Sequence, residues 1–66
     1  MNGRVEIRIN IMKYIFTIEH LNDSMEVNET FTDWITANGI NDAKQQIEKV
    51  YPYKLGYKCT FLNEIN

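Results

Sequence analysis

The sequence has few of the residues that stabilise small folds by means other than packing. Its 66 residues include one cysteine, one histidine and one proline. A single cysteine excludes a disulfide within the chain, and Cys59 with His20 cannot supply the four ligands of a structural zinc site. A domain this small gains little net stability from its own core. We therefore expect association with a second copy, as a homodimer.

Long apolar runs, glycine-rich loops and an excess of basic charge are also missing. No run of roughly 18 apolar residues predicts a membrane span, and only three glycines are present, without a phosphate-binding pattern. Nine acidic against seven basic side chains give a net charge of −2, unlike a nucleic-acid-binding domain. We expect a cytoplasmic protein that is not an enzyme and holds no cofactor or metal.

The clearest pattern that is present predicts a helix within residues 39–52. Asn41 is expected to cap the helix, and Asp42 suits the positive end of its dipole. Pro52 disfavours helical geometry at the residue before it and ends the helix. One apolar helical face is predicted, formed by Ala43, Ile47, Val50 and Tyr51.

Alternating segments on both sides of this helix predict strands over residues 4–11, 13–21, 25–37 and 57–65. In the second segment the larger apolar side chains are Tyr14, Phe16 and Ile18. In the third, one face is expected to carry Met25, Val27, Phe31 and Ile35. Glu29 and Asp33 interrupt that face, so a bulge is expected between them. Leu62 and Asn63 reverse the polarity of the last segment.

These elements predict one domain, residues 1–66, of the α+β class. We expect a small antiparallel sheet of three to four strands with one helix packed on one face, in the order (β)-β-β-α-β. Residues 1–11 are interpreted either as an N-terminal extension or as an extra strand. The helix covers one face of the sheet, and the other face is left polar or open to a partner.

Four residues are candidates for binding a partner protein on that open face: Glu26, Thr30, Thr32 and Trp34. Trp34 either begins a second core or anchors an interface, since tryptophan is a frequent hot-spot residue. The acidic side chains are interpreted as a solvated surface or as a docking surface for a basic partner. An exposed strand edge is the other candidate surface. A small ligand held between protomers would need a convergent polar cluster, which the sequence lacks.

The alternative function is a nucleic-acid-associated module. Aromatic residues alternate with lysines at Tyr53, Lys54, Tyr57 and Lys58, which is typical of surfaces that stack bases and contact phosphates. The same residues also suit the exit of a helix, where lysines complement the dipole. The net acidic charge argues against nucleic acid as a partner.

The single histidine and cysteine are interpreted as structural. His20 precedes a turn at a strand end and has no catalytic partner nearby in the sequence. Cys59 alternates with Tyr57 and Phe61, which favours a small core residue over a reactive thiol.

A resemblance covers roughly residues 13–65. Trp34-x-x-Ala37 followed by Ala43-x-x-x-Ile47-Glu48-x-x-Tyr51-Pro52 resembles short bacterial and phage β-β-α-β proteins, and also the archaeal ribosomal protein LX family. Ribosomal RNA binding, which the second likeness implies, disagrees with the acidic composition. The short, acidic, Asn- and Ile-rich chain is similar in style to phage or prophage products. That likeness implies an inhibitor that blocks a host protein, for example a defence protein.

Overall fold

The computed structural model describes residues 11–65 and confirms the predicted class. The elements are β1 (Met12–Leu21), β2 (Val27–Ala37), α1 (Ile40–Val50), a 3₁₀ helix (Tyr53–Leu55) and β3 (Tyr57–Ile65). The strand expected over residues 4–11 lies almost entirely outside the described residues.

The sheet has the strand order β2-β1-β3, with β1 in the centre. Because β1 is antiparallel to both neighbours, β2 and β3 run parallel to each other. The helix α1 connects these two outer strands. The unit is therefore a split β-α-β arrangement with β1 inserted between its parallel strands.

The core lies between α1 and one face of the sheet, called the inner face here. Tyr14, Phe16 and Ile18 alternate along β1 and are buried there, as their spacing predicted. Ala43 and Ile47 cover them from the helix. Ala37 completes the buried set, and the partly buried residues packed against it are Met12, Phe31, Ile35, Ile40, Tyr51, Tyr57 and Cys59.

The position predicted for the bulge in β2 is wrong. The pairing of β1 with β2 is regular from Met12–Ala37 to His20–Glu29 and shifts only where Leu21 meets Val27, so Asn28 is the extra residue. Asp33 keeps its place on the inner face because the Tyr51 hydroxyl donates a hydrogen bond to its carboxylate. A polar residue with a partner needs no bulge to remove it from the core.

A second irregularity lies in β3. Phe16 pairs with Phe61 whereas Ile15 pairs with Asn63, so Leu62 is the extra residue on β3. This bulge accounts for the reversed polarity at Leu62 and Asn63, because one inserted residue exchanges the faces of all residues that follow it.

The helix begins two residues earlier than its capping signal predicted. Gly39 is the N-cap without a side-chain cap, and its carbonyl accepts from the Ala43 amide at 3.0 Å. Asn41 therefore lies inside the first turn, where Asp42 is also found as expected. Val50 was predicted on the buried face, but it is exposed because α1 ends at this residue and Tyr51 turns inward instead.

The connection from β1 to β2 is tied together by Asn22. Its side-chain oxygen accepts from the backbone amides of Ser24 at 2.9 Å and Glu26 at 3.0 Å. Met25, predicted as part of β2, lies in this turn with a left-handed φ of 62°. Such a backbone conformation is unusual for a residue with a side chain.

Gly56 joins the 3₁₀ helix to β3 where only glycine fits well. Its φ is 93°, and an added Cβ would lie 2.8 Å from the Leu21 carbonyl oxygen. The Leu21 amide donates to the Gly56 carbonyl at 2.8 Å. The close approach therefore fixes the start of β3 against the end of β1.

Candidate functional site on the outer sheet face

The outer face is the side of the sheet that α1 leaves uncovered. The strand register places on it every β1 residue that alternates with the buried ones, together with the cross-strand partners of those residues. Its members are Lys13, Ile15, Thr17, Glu19 and Leu21 from β1, Val27, Thr30, Thr32, Trp34 and Thr36 from β2, and Lys58, Thr60, Asn63 and Ile65 from β3.

Trp34 is the largest side chain on the outer face, and it is 53% exposed. It pairs with Ile15 across the strands, and the Lys13 ammonium lies 4.3 Å from the centre of its ring. This distance is typical of a cation–π contact. Within residues 11–65, Trp34 thus contributes to no second core and presents an aromatic surface to solvent.

Threonines surround Trp34 in a regular arrangement. Thr32, Thr17 and Thr60 are directly paired across the three strands, so their side chains form one row over the sheet. Thr30 and Thr36 lie further along β2. Each threonine offers a methyl group and a hydroxyl that both donates and accepts, which suits contact with the mixed polar and apolar surface of another protein.

The structure brings together three of the four partner-binding candidates. Thr30, Thr32 and Trp34 alternate along β2 and share the outer face, whereas Glu26 lies before the strand in the turn held by Asn22. The expectation that Glu26 belongs to this face is therefore wrong. Its backbone is part of the Asn22 turn, and β2 begins only after it.

The charge of the outer face also differs from expectation. Its ionisable residues are Lys13, Glu19 and Lys58, and Lys58 is the cross-strand partner of Glu19. The described part of this face is therefore not acidic, and the interpretation as a docking surface for a basic partner is not supported there. The uncharged centre of threonines with Trp34 dominates it.

The residues proposed for nucleic-acid binding are not brought together. Tyr57 points to the inner face, where its ring stacks on His20 with centroids 4.5 Å apart, and Lys58 lies on the outer face. Tyr53 and Lys54 are exposed in the 3₁₀ helix. One single-stranded nucleic acid therefore cannot stack on Tyr53 and Tyr57 and contact both lysines from the same side of the protein.

The inner face carries polar groups whose contacts are structural. The hydrogen bond to Asp33, with burial and the negative charge of that carboxylate, raises the pKa of Tyr51 to about 12. Burial, with the nearby Glu48 carboxylate, raises the pKa of the Cys59 thiol. The protonated thiol is a poor nucleophile, and Cys59 packs against the core as its spacing predicted.

His20 is likewise engaged by its neighbours. Besides the stack on Tyr57, its Nε2 lies 3.3 Å from the Leu55 carbonyl oxygen, which gives the ring one backbone contact. Residues 11–65 contain no group of three or more metal-ligating side chains. Neither of the two described helices has the length and apolar character needed to cross a membrane.

An open groove at the turn end of the sheet was missed by sequence reasoning. It has a volume of about 430 Å³ and lies between the β1–β2 turn and the 3₁₀ helix, with Asn22, Met25, Tyr53 and Leu55 among its walls. Its formation depends on the left-handed turn at Met25 and on the contact of Gly56 with Leu21. Neither feature has a local signal strong enough to show that the two segments meet.

Comparison of the chain with models of protein families, with curated protein sequences and with solved structures finds no match in any of the three.

Proposed function

We propose that this chain is a non-enzymatic binding protein that docks on a partner protein through the outer face and thereby blocks or modulates it. The observation that carries the proposal is the exposure of Trp34 in the middle of the threonine-rich surface. An aromatic side chain surrounded by groups that hydrogen-bond in both directions is a frequent form of interface hot spot.

The shape of the outer face favours a macromolecular partner over a small ligand. The open groove described above lies at the turn end of the sheet and not beside Trp34, and small ligands are usually enclosed on most sides. A sheet of this kind, about 33 Å long and about 14 Å wide, offers roughly 450 Å². Standard interfaces bury about 800 Å² on each partner. The partner is therefore expected to extend past the face to an edge of the sheet.

The biological setting that we propose is inhibition of a host protein by a phage or prophage product, in the cytoplasm. The support is the style of the sequence and the free thiol of Cys59, since proteins of reducing compartments keep their cysteines unpaired. Blocking a surface needs no chemistry from the inhibitor, which agrees with a site made of threonines and one tryptophan.

The test is capture of proteins from a lysate of the cell that is the natural host. Tagged wild type, Trp34→Ala and the control Tyr53→Ala are compared, since Tyr53 is also an exposed aromatic residue but lies outside the outer face. We expect Trp34→Ala to weaken the affinity for a captured protein by about thirtyfold, the effect of a hot spot, and so to reduce its recovery, and we expect Tyr53→Ala to leave both unchanged.

Circular dichroism first establishes that both variants are folded. Equal capture by wild type and Trp34→Ala would contradict the proposal, as would equal losses with the two variants. The affinity of the captured protein, once purified, is then measured directly with the same three chains.

A further inference from the structure

The two edges of the sheet differ in the side chains that they expose. At the β2 edge most exposed residues are polar, and the two large apolar exceptions, Val27 and Trp34, lie seven residues apart. The β3 edge exposes three large apolar side chains close together in its second half. These are Phe61 at 41%, Leu62 at 57% and Ile65 at 47%.

Among residues 11–65, no strand pairs with the backbone of β3 on the side away from β1. The outward amides and carbonyls of an edge strand can pair with a strand from another chain. Apolar side chains on both sides of such an edge add hydrophobic burial to that pairing.

The small core gives a reason for a permanent partner at this edge. Only six described residues are buried hydrophobics, and two of these are alanines, whereas ten large apolar side chains are exposed. A domain with so few buried side chains usually needs support from another chain. A second copy is always present at the same concentration and carries the same edge.

We propose that two copies associate through antiparallel pairing of their β3 strands, which makes one continuous six-stranded sheet. The regular part of β3 before the Leu62 bulge is self-complementary about a two-fold axis at Cys59. In that register Tyr57 lies opposite the partner's Phe61, and Lys58 lies opposite the partner's Thr60.

This register satisfies the two conditions that strand pairing imposes. Inner-face residues meet inner-face residues, and outer-face residues meet outer-face residues. No like charges are placed opposite each other. The bulge at Leu62 ends the regular pairing, and the same register places Leu62 opposite the partner's Gly56, next to the 3₁₀ helix of that copy.

Sedimentation equilibrium over a wide range of concentrations tests the proposal with wild type, Leu62→Lys and Val50→Lys. Leu62 and Val50 are exposed to nearly the same extent, 57% and 58%, but Val50 lies on α1. We expect a wild-type dimer, at least tenfold weaker dimerisation for Leu62→Lys, and unchanged dimerisation for Val50→Lys.

Amide hydrogen exchange of the wild type gives a second readout that does not depend on a folded variant. Amides on the side of β3 away from β1 should exchange more slowly as the protein concentration rises, whereas those on the outer edge of β2, which exchange by local opening, should not. A monomer at all concentrations would overturn the proposal. So would concentration-dependent protection in β2 alone, or a Leu62→Lys dimer as tight as the wild type.

The β3 edge adjoins the outer face of the proposed function but does not include Trp34, so the two proposals can fail independently. Trp34→Ala is expected to lose the captured partner and keep the dimer, and Leu62→Lys is expected to lose the dimer. A dimer weakened by Trp34→Ala and unaffected by Leu62→Lys would place self-association on the outer face and overturn the β3 interface.

Discussion

Each face of β1 contains an isoleucine, and the two isoleucines differ in how far their side chains are buried. Ile18 is fully buried on the inner face, and Ile15, three residues earlier, is only partly buried on the outer face beside the exposed Trp34. The difference arises because a strand directs successive side chains to opposite faces and α1 covers only one of them. The inner face therefore stabilises the fold, and the outer face stays uncovered within residues 11–65 and is the surface that we propose for binding.

Each face of the sheet also contains one residue whose polarity differs from that of the face as a whole. Asp33 is an acid on the inner face, and its carboxylate is held by the Tyr51 hydroxyl. Trp34 is an aromatic residue on the outer face, and its ring is contacted by the Lys13 ammonium. The first exception is tied to the core, whereas the second stays exposed, which is why we assign the first to stability and the second to binding.

The largest effect is expected from Ile18→Ala, compared with Ile15→Ala in the same strand. Truncation of the buried isoleucine should lower the free energy of unfolding by about 3–4 kcal/mol, through lost burial and a cavity. Ile15→Ala should cost about 1 kcal/mol, because less apolar area is lost. Urea denaturation followed by circular dichroism measures both.

Because Ile15 and Ile18 occupy one strand, their β propensities are the same and the comparison isolates burial. Equal losses for the two variants would show that the outer face is covered in solution. In that case the measurement would be repeated at several protein concentrations, since cover by a second copy makes stability depend on concentration.

The inner face was predictable from the sequence to a large extent. The alternation of Tyr14, Phe16 and Ile18 is a local pattern, and so is the four-residue spacing of Ala43 and Ile47. Pro52 marks the end of the helix by its own stereochemistry. Such signals need no knowledge of distant residues, so they identified both the core and the order of the elements.

The irregular positions were not predictable, because they depend on contacts between distant segments. Asp33 remains in a regular strand only because Tyr51, 18 residues later, donates to it. The diagonal contact of Lys13 with the Trp34 ring, and the row formed by Thr17 with its neighbours, follow from strand register. Register was fixed by bulges at Asn28 and Leu62 that the sequence did not locate. The prediction of Trp34 on an open face was right, whereas Glu26 was misplaced.

A smaller effect is expected from Tyr51→Phe, which removes the hydrogen bond to Asp33 on the inner face. We expect the free energy of unfolding at neutral pH to fall by about 1 kcal/mol, the usual value for a partly exposed hydrogen bond. The control is Tyr53→Phe, since Tyr53 is exposed and no hydrogen bond of its hydroxyl is found within residues 11–65.

The same hydrogen bond predicts a pH dependence. The folded-state pKa of Tyr51 is about 12, above its ordinary value of 10.0. The stabilisation is therefore complete below pH 10 and declines as the pH rises from about 10 to about 12, because the unfolded chain releases its proton first. Wild type should lose stability in this range more steeply than Tyr51→Phe. Parallel curves would show that the hydroxyl does not bind Asp33.

The smallest effect is expected from Lys13→Met on the outer face. Methionine keeps the length of the side chain over the Trp34 ring but removes the charge, so only the cation–π attraction is lost. An exposed contact of this kind contributes about 0.5 kcal/mol, and Lys54→Met, in the 3₁₀ helix, serves as the control for a lost surface charge. Trp34 fluorescence during urea denaturation reports both the environment of the ring and the stability.

A loss of unfolding free energy above about 2 kcal/mol in Lys13→Met would mean that Lys13 and Trp34 contribute to the core as the inner-face residues do. The distinction between a stabilising inner face and a binding outer face would then be wrong for Trp34, the residue on which the binding proposal rests.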